Sequence, residues 1–182
     1  MLLDIGRGRN TTLFTVVCGG QDETTIELFL DNADKLGIDL NWRESNGMTP
    51  FMHLTSKKLI KLFLDDERID VNAVCEMQFN ALFHLYNRTM YVQNDKDKRI
   101  LENIETLLAS PRFNIGFVNT DGSLALHLAC DTSCYNYDAP RVEAYLKVAV
   151  QRGIDINVRD HEGLTPIHFA FGYFSSYENG YR

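Results

Sequence analysis

The chain has 182 residues, a formal net charge of -7 and 45% hydrophobic residues, which suits one domain or about five units of a ~33-residue repeat. Because nucleic-acid phosphate and anionic lipid both require a basic surface, the acidic balance argues against either partner and favours a neutral or basic protein. No apolar run is long enough for a signal-peptide core or a membrane span, so we expect a cytoplasmic protein whose four cysteines are reduced.

Apolar residues recur at helical spacing along the chain. The opening segment NTTLFTVV, residues 10–17, predicts a first helix that caps the array. Amphipathic helices are then predicted over residues 24–32, 57–65, 98–109 and 140–152, because leucine, isoleucine and valine recur there at intervals of three and four residues. Each has an apolar face, including Val150 in the last, that needs a neighbour to bury it.

Between these helices one frame occurs four times. The copies are DLNWRESNGMTPFMHL from Asp39, DVNAVCEMQFNALFHL from Asp70, NIGFVNTDGSLALHLA from Asn114 and DINVRDHEGLTPIHFA from Asp155. Glycine at the ninth position allows the positive φ of a tight turn, threonine is suited to a helix N-cap, and proline to the first helical position. The apolar letters that follow, up to Ile167 and Ala170 in the last copy, are predicted core positions.

This frame resembles the ankyrin repeat, with its T-P-L-H-x-A helix start preceded by a turn. The resemblance implies an all-α fold, a solenoid of stacked helix pairs joined by short β-hairpins. The whole chain is then one domain of about five units. They span residues 1–38 (cap-like), 39–69, 70–113, 114–154 and 155–182, the last incomplete.

The array departs from the family in its third unit and in its spacing. Gln78 stands where the turn glycine is expected and Thr-Pro is absent, so whether the third hairpin forms is left open. Extra residues fall after the second helix of unit 1, around residues 31–37. Others fall between the paired helices of units 3 and 4, at residues 87–97 and 131–139.

Ankyrin-like arrays bind partners through hairpin tips and the concave face of the first helices. In this frame the partner-binding positions are Arg43, Ser45, Met48, Val74, Glu76, Met77, Phe79, Val118, Thr120, Asp121, Arg159 and His161. Among them Met48, Val74, Met77 and Phe79 predict an apolar hot spot, since methionine and aromatic side chains are enriched at interface cores. The alternative is that the third hairpin folds inward and buries them.

A second surface is predicted on the opposite edge, where insertions in successive units gather. It consists of Tyr91, Tyr135 and Tyr137, with Tyr173, Phe174 and Tyr177 in the tail. Tyrosine combines apolar area with a hydroxyl that stays hydrated. For the tail, the alternative is that these rings shield an open C-terminal core. We expect a monomer unless that end self-associates.

The sequence contains no credible active site, metal site or cofactor site. His127, Cys130 and Cys134 loosely resemble zinc ligands, but they supply three ligands at most, and the family uses histidines such as His127 and His168 to satisfy backbone groups. Nothing places Cys18 or Cys75 beside a catalytic base. We therefore expect a non-enzymatic protein-binding module. The rival hypothesis is the targeting part of an enzyme, ligase adaptor or pathogen effector whose catalytic region lies outside this chain.

One modification is also predicted. Leu64, Asp70, Val71 and Asn72 match the L-x5-D-V-N pattern that asparaginyl hydroxylases read in ankyrin hairpins. Asn72 is thus a candidate for hydroxylation, with a plain turn residue as the alternative.

Overall fold

The computed structural model describes residues 13–89, 96–131 and 139–172. Its regular secondary structure is helical, as predicted: α1 (Leu13–Gly20), α2 (Glu23–Leu36), a 3₁₀ helix (Pro50–His53), α3 (Lys57–Asp65), α4 (Ala81–Thr89), α5 (Lys96–Ala109), α6 (Ala125–Cys130), α7 (Ala139–Arg152) and α8 (Pro166–Ala170). Within these ranges β pairing is limited to one isolated bridge between Val118 and Leu124. Among the described residues, no helix has the length and apolar character needed to cross a membrane.

The helices form two layers. The first helix of each unit contacts the first helix of the next, in the order α1, the 3₁₀ helix, α4, α6 and α8. In the second layer α3 contacts α5 and α5 contacts α7, while α1–α2, α4–α5 and α6–α7 pair across the layers. Lys58 of α3 connects to α2 through ion pairs with Glu23 and Glu27, both at 3.0 Å.

One continuous hydrophobic core lies between the layers. Phe63 of α3 is fully buried and stacks on Phe14 of α1 and Phe51 of the 3₁₀ helix, with ring centroids 6.0 and 6.1 Å apart. Neither layer could bury these rings alone, so the units depend on each other for stability.

Helix α2 is longer than predicted, and residues 31–36 are its last turns rather than an insertion. Asp22 caps its first turn, because its side chain accepts hydrogen bonds from the hydroxyl and N–H of Thr25. Gly37 ends it at φ +62°, with its N–H directed to the carbonyl of Asp34. Such a left-handed glycine closes helices at low cost.

The Thr-Pro pairs begin their helices where predicted, but the threonines do not cap them as expected. The hydroxyl of Thr49 is buried and makes no hydrogen bond within the described residues. That of Thr165 lies 2.8 Å from Nδ1 of His168 instead of bonding the helix backbone. The fixed φ of Pro50 and Pro166 therefore contributes more to these helix starts than a side-chain cap.

Two predicted core positions in the last units are wrong. Ile167 is 60% exposed and Val150 is 75% exposed. Burial of either side chain requires a following helix pair, and no described element lies beyond α8.

Arginines of the second, third and fourth units join each of these units to the preceding one through carbonyls in or just after its second helix. Arg68 donates to the carbonyl of Leu30 at 3.0 Å. The later contacts are those of Arg112 with the carbonyls of Leu64, Asp66 and Ile69 (2.6, 2.9 and 2.9 Å) and of Arg152 with those of Leu108, Ser110 and Phe113 (2.7, 2.8 and 3.1 Å). Of these acceptors, Leu64 and Leu108 are among the last four residues of α3 and α5. Carbonyls there have no intrahelical partner, so the arginine of the next unit satisfies them.

Candidate partner-binding surface

Each of the four repeated frames contains a turn of the same geometry. We call these the second tip (residues 43–49), third tip (74–80), fourth tip (118–124) and fifth tip (159–165), numbered by unit. In each tip the residue at the second position donates its N–H to the carbonyl of the residue at the sixth position. The residue at the fifth position donates its N–H to the carbonyl of the residue at the second position. The outer bonds are Glu44 to Met48, Cys75 to Phe79, Asn119 to Ser123 and Asp160 to Leu164, at 2.8 to 3.0 Å.

The third tip forms despite its missing glycine. Gln78 adopts φ +58°, beside +75° for Gly47 and +80° for Gly122, and its N–H donates to the carbonyl of Cys75 at 2.9 Å. A left-handed non-glycine residue costs about 1–2 kcal/mol, so the surrounding stack holds this turn against its local preference.

Backbone hydrogen bonds connect two pairs of neighbouring tips. The N–H of Glu76 donates to the carbonyl of Asn46 at 3.0 Å, and the N–H of His161 donates to the carbonyl of Asp121 at 2.9 Å. Arg43 adds a side-chain link between the second and third tips, from Nη1 to the carbonyl of Val74 at 2.7 Å. These tips are therefore held at fixed spacing before any partner arrives.

The turn glycines permit this close approach. A Cβ on Gly47 would lie 2.9 Å from the backbone nitrogen of Glu76, and one on Gly122 would lie 3.0 Å from Cα of Asp160. At Gly163, in the last tip, nothing lies within 4 Å. The first two glycines are thus required by packing as well as by φ.

Asparagines bind the units together at the base of the tips. Asn41 donates to the carbonyl of Arg68 at 2.8 Å and accepts from the N–H of Asp70 at 2.7 Å. Asn72 repeats this with Arg112 and Asn114, at 2.8 Å each. Sequence reasoning missed the role of Asn41, although an Asn stands two residues after the opening Asp in three of the four frames. Asn72, the hydroxylation candidate, is an exposed residue whose side-chain amide is engaged both as donor and as acceptor.

Most predicted partner-binding residues are exposed on the tips. These are Arg43, Ser45, Glu76, Met77, Val118, Thr120, Asp121, Arg159 and His161, whereas Met48, Val74 and Phe79 are half-buried. Arg43 and Arg159 also donate to carbonyls of their own turns, Gly47 at 3.4 Å and Gly163 at 2.6 Å. They are therefore ordered as well as exposed.

The four apolar residues of the predicted hot spot divide between two environments. Met48 and Phe79 pack in a small cluster with Met52, Ala73 and Cys75 beneath the second and third tips, and Phe79 stacks on Phe83 at 5.1 Å. Val74 is half-buried. Met77 is 51% exposed, so it is the member of the set most open to a partner.

His127 and His168 have the structural role predicted for them. Nδ1 of His127 accepts from the N–H of Leu124 at 2.9 Å, so its proton lies on Nε2, 3.4 Å from the carbonyl of Leu164 in the next unit. Nδ1 of His168 accepts from the N–H of Thr165 at 3.1 Å. Burial lowers the pKa of His127 below its usual 6.5, against smaller opposing contributions from nearby carbonyls and Asp160.

The cysteines do not present a reactive or metal-binding arrangement within the described residues. Cys18, Cys75 and Cys130 are free and buried, and burial raises the thiol pKa of Cys18 to about 12 and of Cys130 to about 11. A nucleophile or metal ligand needs the thiolate. No described group of three His, Cys, Asp or Glu side chains could hold a metal ion, and Cys134 lies outside the described residues.

The predicted second surface lies outside the described residues as well. This holds for Tyr91, Tyr135 and Tyr137 and for the tail residues Tyr173, Phe174 and Tyr177. That surface therefore remains a prediction.

Comparison of the sequence with models of known families and with curated proteins gives no match.

Proposed function

We propose that this protein is a divergent ankyrin-type array that binds another protein through its tips and the adjoining concave face of the first helices. The observation that carries the proposal is the row of exposed side chains on four turns of identical hydrogen bonding. Recognition residues placed on loops that a rigid scaffold positions are typical of binding proteins.

Preorganisation supports this proposal. The second and third tips are linked by a backbone bond and by Arg43, and the fourth and fifth by a backbone bond. A surface fixed before binding loses little conformational entropy when the partner docks. A row of ordered turns is consequently better suited to recognition than to packing alone.

The charge of the tips favours a neutral or basic partner. Glu76 and Asp121 are exposed, and within the described residues neither forms an ion pair with a basic side chain. Unpaired carboxylates at a rim steer and select partners of opposite charge. The net charge of -7 acts in the same direction.

A reducing compartment such as the cytoplasm is proposed as the site of action. Support comes from Cys18, Cys75 and Cys130, which are free thiols in the interior. Disulfides are rare where thiols are kept reduced.

The proposal is tested by affinity capture from cell extract with mass-spectrometric identification. The full chain is compared with a double variant, Ser45→Arg with Thr120→Arg, at two exposed tip positions whose side chains make no hydrogen bond within the described residues. A genuine partner is captured by the wild-type chain and lost with the tip variant.

The matched control places the same two arginines on the outer face of α5, as Glu105→Arg with Ala109→Arg, where both positions are exposed. Equal melting temperatures for all three chains show that the fold is intact. A partner that is retained by the tip variant and lost from the α5 variant would contradict the proposal.

A further inference from the structure

The junction between the third and fourth tips differs from its neighbours. A backbone bond joins the second tip to the third and the fourth to the fifth, from the N–H at the third position of one tip to the carbonyl at the fourth position of the preceding tip. The equivalent bond would run from the N–H of Thr120 to the carbonyl of Met77. Both tips lie wholly in the described residues, and no such bond joins them.

The residue at the turn explains the difference. A Cβ on Gly47 would lie 2.9 Å from the next tip and one on Gly122 would lie 3.0 Å from it. Both distances are shorter than an ordinary van der Waals contact. Gln78 has the same left-handed φ, so its Cβ is directed toward the fourth tip in the same way. A Cβ there would prevent the close approach seen at the two glycines, which accounts for the missing bond.

The cross-linking side chain is missing as well. Arg43 connects the second tip to the third, and Val74 occupies the equivalent position in the third tip. Valine has no donor with which to reach the carbonyl of Val118.

Below the tips the same two units are firmly packed. The ring of Phe83 meets that of Phe117 edge-on with centroids 5.9 Å apart, and Asn72 bonds the carbonyl of Arg112 at 2.8 Å. The missing bond is therefore confined to the ends of the turns. We call this unlinked junction, between residues 76–78 of the third tip and 118–121 of the fourth, the slot.

The side chains that border this slot are apolar and acidic. Met77 is 51% exposed and Val118 is 41% exposed, and Glu76 and Asp121 of the same two tips are exposed as well. Neither tip contains a Lys or Arg. Exposed apolar side chains bordered by unpaired carboxylates are complementary to an apolar side chain next to Lys or Arg.

We infer that the slot between the third and fourth tips is the anchor point for the partner, and that the ligand is an extended basic segment with one apolar side chain placed between Met77 and Val118. The N–H of Thr120 and the carbonyl of Met77 bond the backbone of that segment, replacing the missing link between the tips. Lys or Arg beside the apolar residue pairs with Glu76 and Asp121. The inference rests on the proposed function and adds the location and chemistry of its ligand.

The test uses a displayed library of random linear peptides panned against the full chain, followed by anisotropy titrations with the enriched peptides. We expect enrichment of Leu, Met or Phe flanked by Lys or Arg. Met77→Ser and Val118→Ser should each weaken binding about tenfold, as expected for an anchor pocket. Glu76→Gln combined with Asp121→Asn should weaken binding and reduce its salt dependence.

Matched controls are Leu28→Ser, an apolar residue 59% exposed on α2, and Glu105→Gln on α5; both should leave the affinity unchanged. Gln78→Gly should close the slot and weaken binding. The melting temperature of this variant should stay the same or rise, because glycine adopts the left-handed conformation without strain.

Three results would overturn the inference. The library enriches no basic peptide with an apolar anchor, or the enriched peptides are indifferent to Met77→Ser and Val118→Ser, or they lose affinity only with Ser45→Arg or His161→Glu. The last result leaves the proposed function intact, because binding then occurs at other tips. In the first two cases the capture experiment with the tip double variant decides the proposed function independently.

Discussion

The side-chain amide of Asn72 bridges the third and fourth units, donating to the carbonyl of Arg112 and accepting from the N–H of Asn114, both at 2.8 Å. The corresponding asparagine in the second unit, Asn41, makes the same pair of bonds to Arg68 and Asp70. Backbone groups that would otherwise face water are thereby used to fix the spacing of the units, and the tips inherit that spacing.

Replacement of the bridging amide should destabilise the array. We expect Asn72→Ala to lower the free energy of unfolding by about 1–2 kcal/mol, the cost of two hydrogen bonds at a partly solvated site. Urea denaturation measures the change. Asn157→Ala is the control, because the side chain of Asn157 makes no hydrogen bond within the described residues, and an equal loss in both variants would contradict the bridging role.

The repeated frame predicted the helices and the turns because it encodes local requirements. Glycine at the turn and proline at the first helical position act within a few residues, so their positions can be predicted from the sequence. The bridges of Asn41 and Asn72 and the contacts of Arg112 were not predicted, because their acceptors are carbonyls of another unit. Such contacts require the stacking distance, which no single frame contains.

Predictions of burial were less successful at positions whose burial depends on a neighbouring unit. Ile167 and Val150 fit an apolar face but are exposed, since no described helix pair covers them. Because Gln78 replaces the turn glycine, the sequence did not decide whether the third turn forms. It forms because packing in the stack holds it. The sequence predicted which residues lie on the tips. It did not predict that Met48 and Phe79 would be packed while Met77 is exposed, because that difference depends on packing between units.

The turn glycines give a test in which backbone strain is matched. Gly47→Ala, Gly122→Ala and Gly163→Ala each place a Cβ at a φ between +75° and +80°, which costs about 1–2 kcal/mol. The first two also push a methyl group against the next tip, and overpacking adds about 1–3 kcal/mol. Thermal unfolding should therefore rank Gly163→Ala as the mildest of the three; similar losses in all three would argue against the close approach of the tips.

Arg112 should resist conservative replacement. Its guanidinium donates to three carbonyls of the preceding unit, a geometry that the single ammonium of lysine cannot reproduce. We expect Arg112→Lys to lower the free energy of unfolding by about 2 kcal/mol. Arg99→Lys should be neutral in the same chemical-denaturation measurement, since Arg99 is exposed and makes no hydrogen bond within the described residues.

His127 should make stability depend on pH. Burial lowers its pKa in the folded protein below the usual 6.5, so the unfolded chain binds a proton more readily. Its stabilising contribution is complete above about pH 7.5 and is lost as the pH falls through 6.5 toward the folded pKa.

Melting temperatures measured at a series of pH values from about 8 to about 5.5 should decline as the pH falls. His127→Gln should flatten that decline while lowering the overall stability. His161→Gln is the control, because His161 is exposed, and it should preserve the decline. A wild-type slope that survives in His127→Gln would assign the effect to another group.

Met77 and Phe79 lie two residues apart in the third tip and should separate binding from stability. Phe79 stacks on Phe83 at 5.1 Å and meets His84 edge-on at 5.7 Å, so Phe79→Ala removes packed ring contacts and should lower the free energy of unfolding by about 2–4 kcal/mol. Met77 is 51% exposed, so Met77→Ala should change stability by less than about 0.5 kcal/mol. Because an exposed methionine is available to a partner, the same Met77→Ala change should weaken partner binding measurably. Paired calorimetry and titration of the two variants give both quantities. A Met77→Ala chain with full affinity, or a Phe79→Ala chain with an unchanged melting temperature, would show that the tip is packed differently from this arrangement.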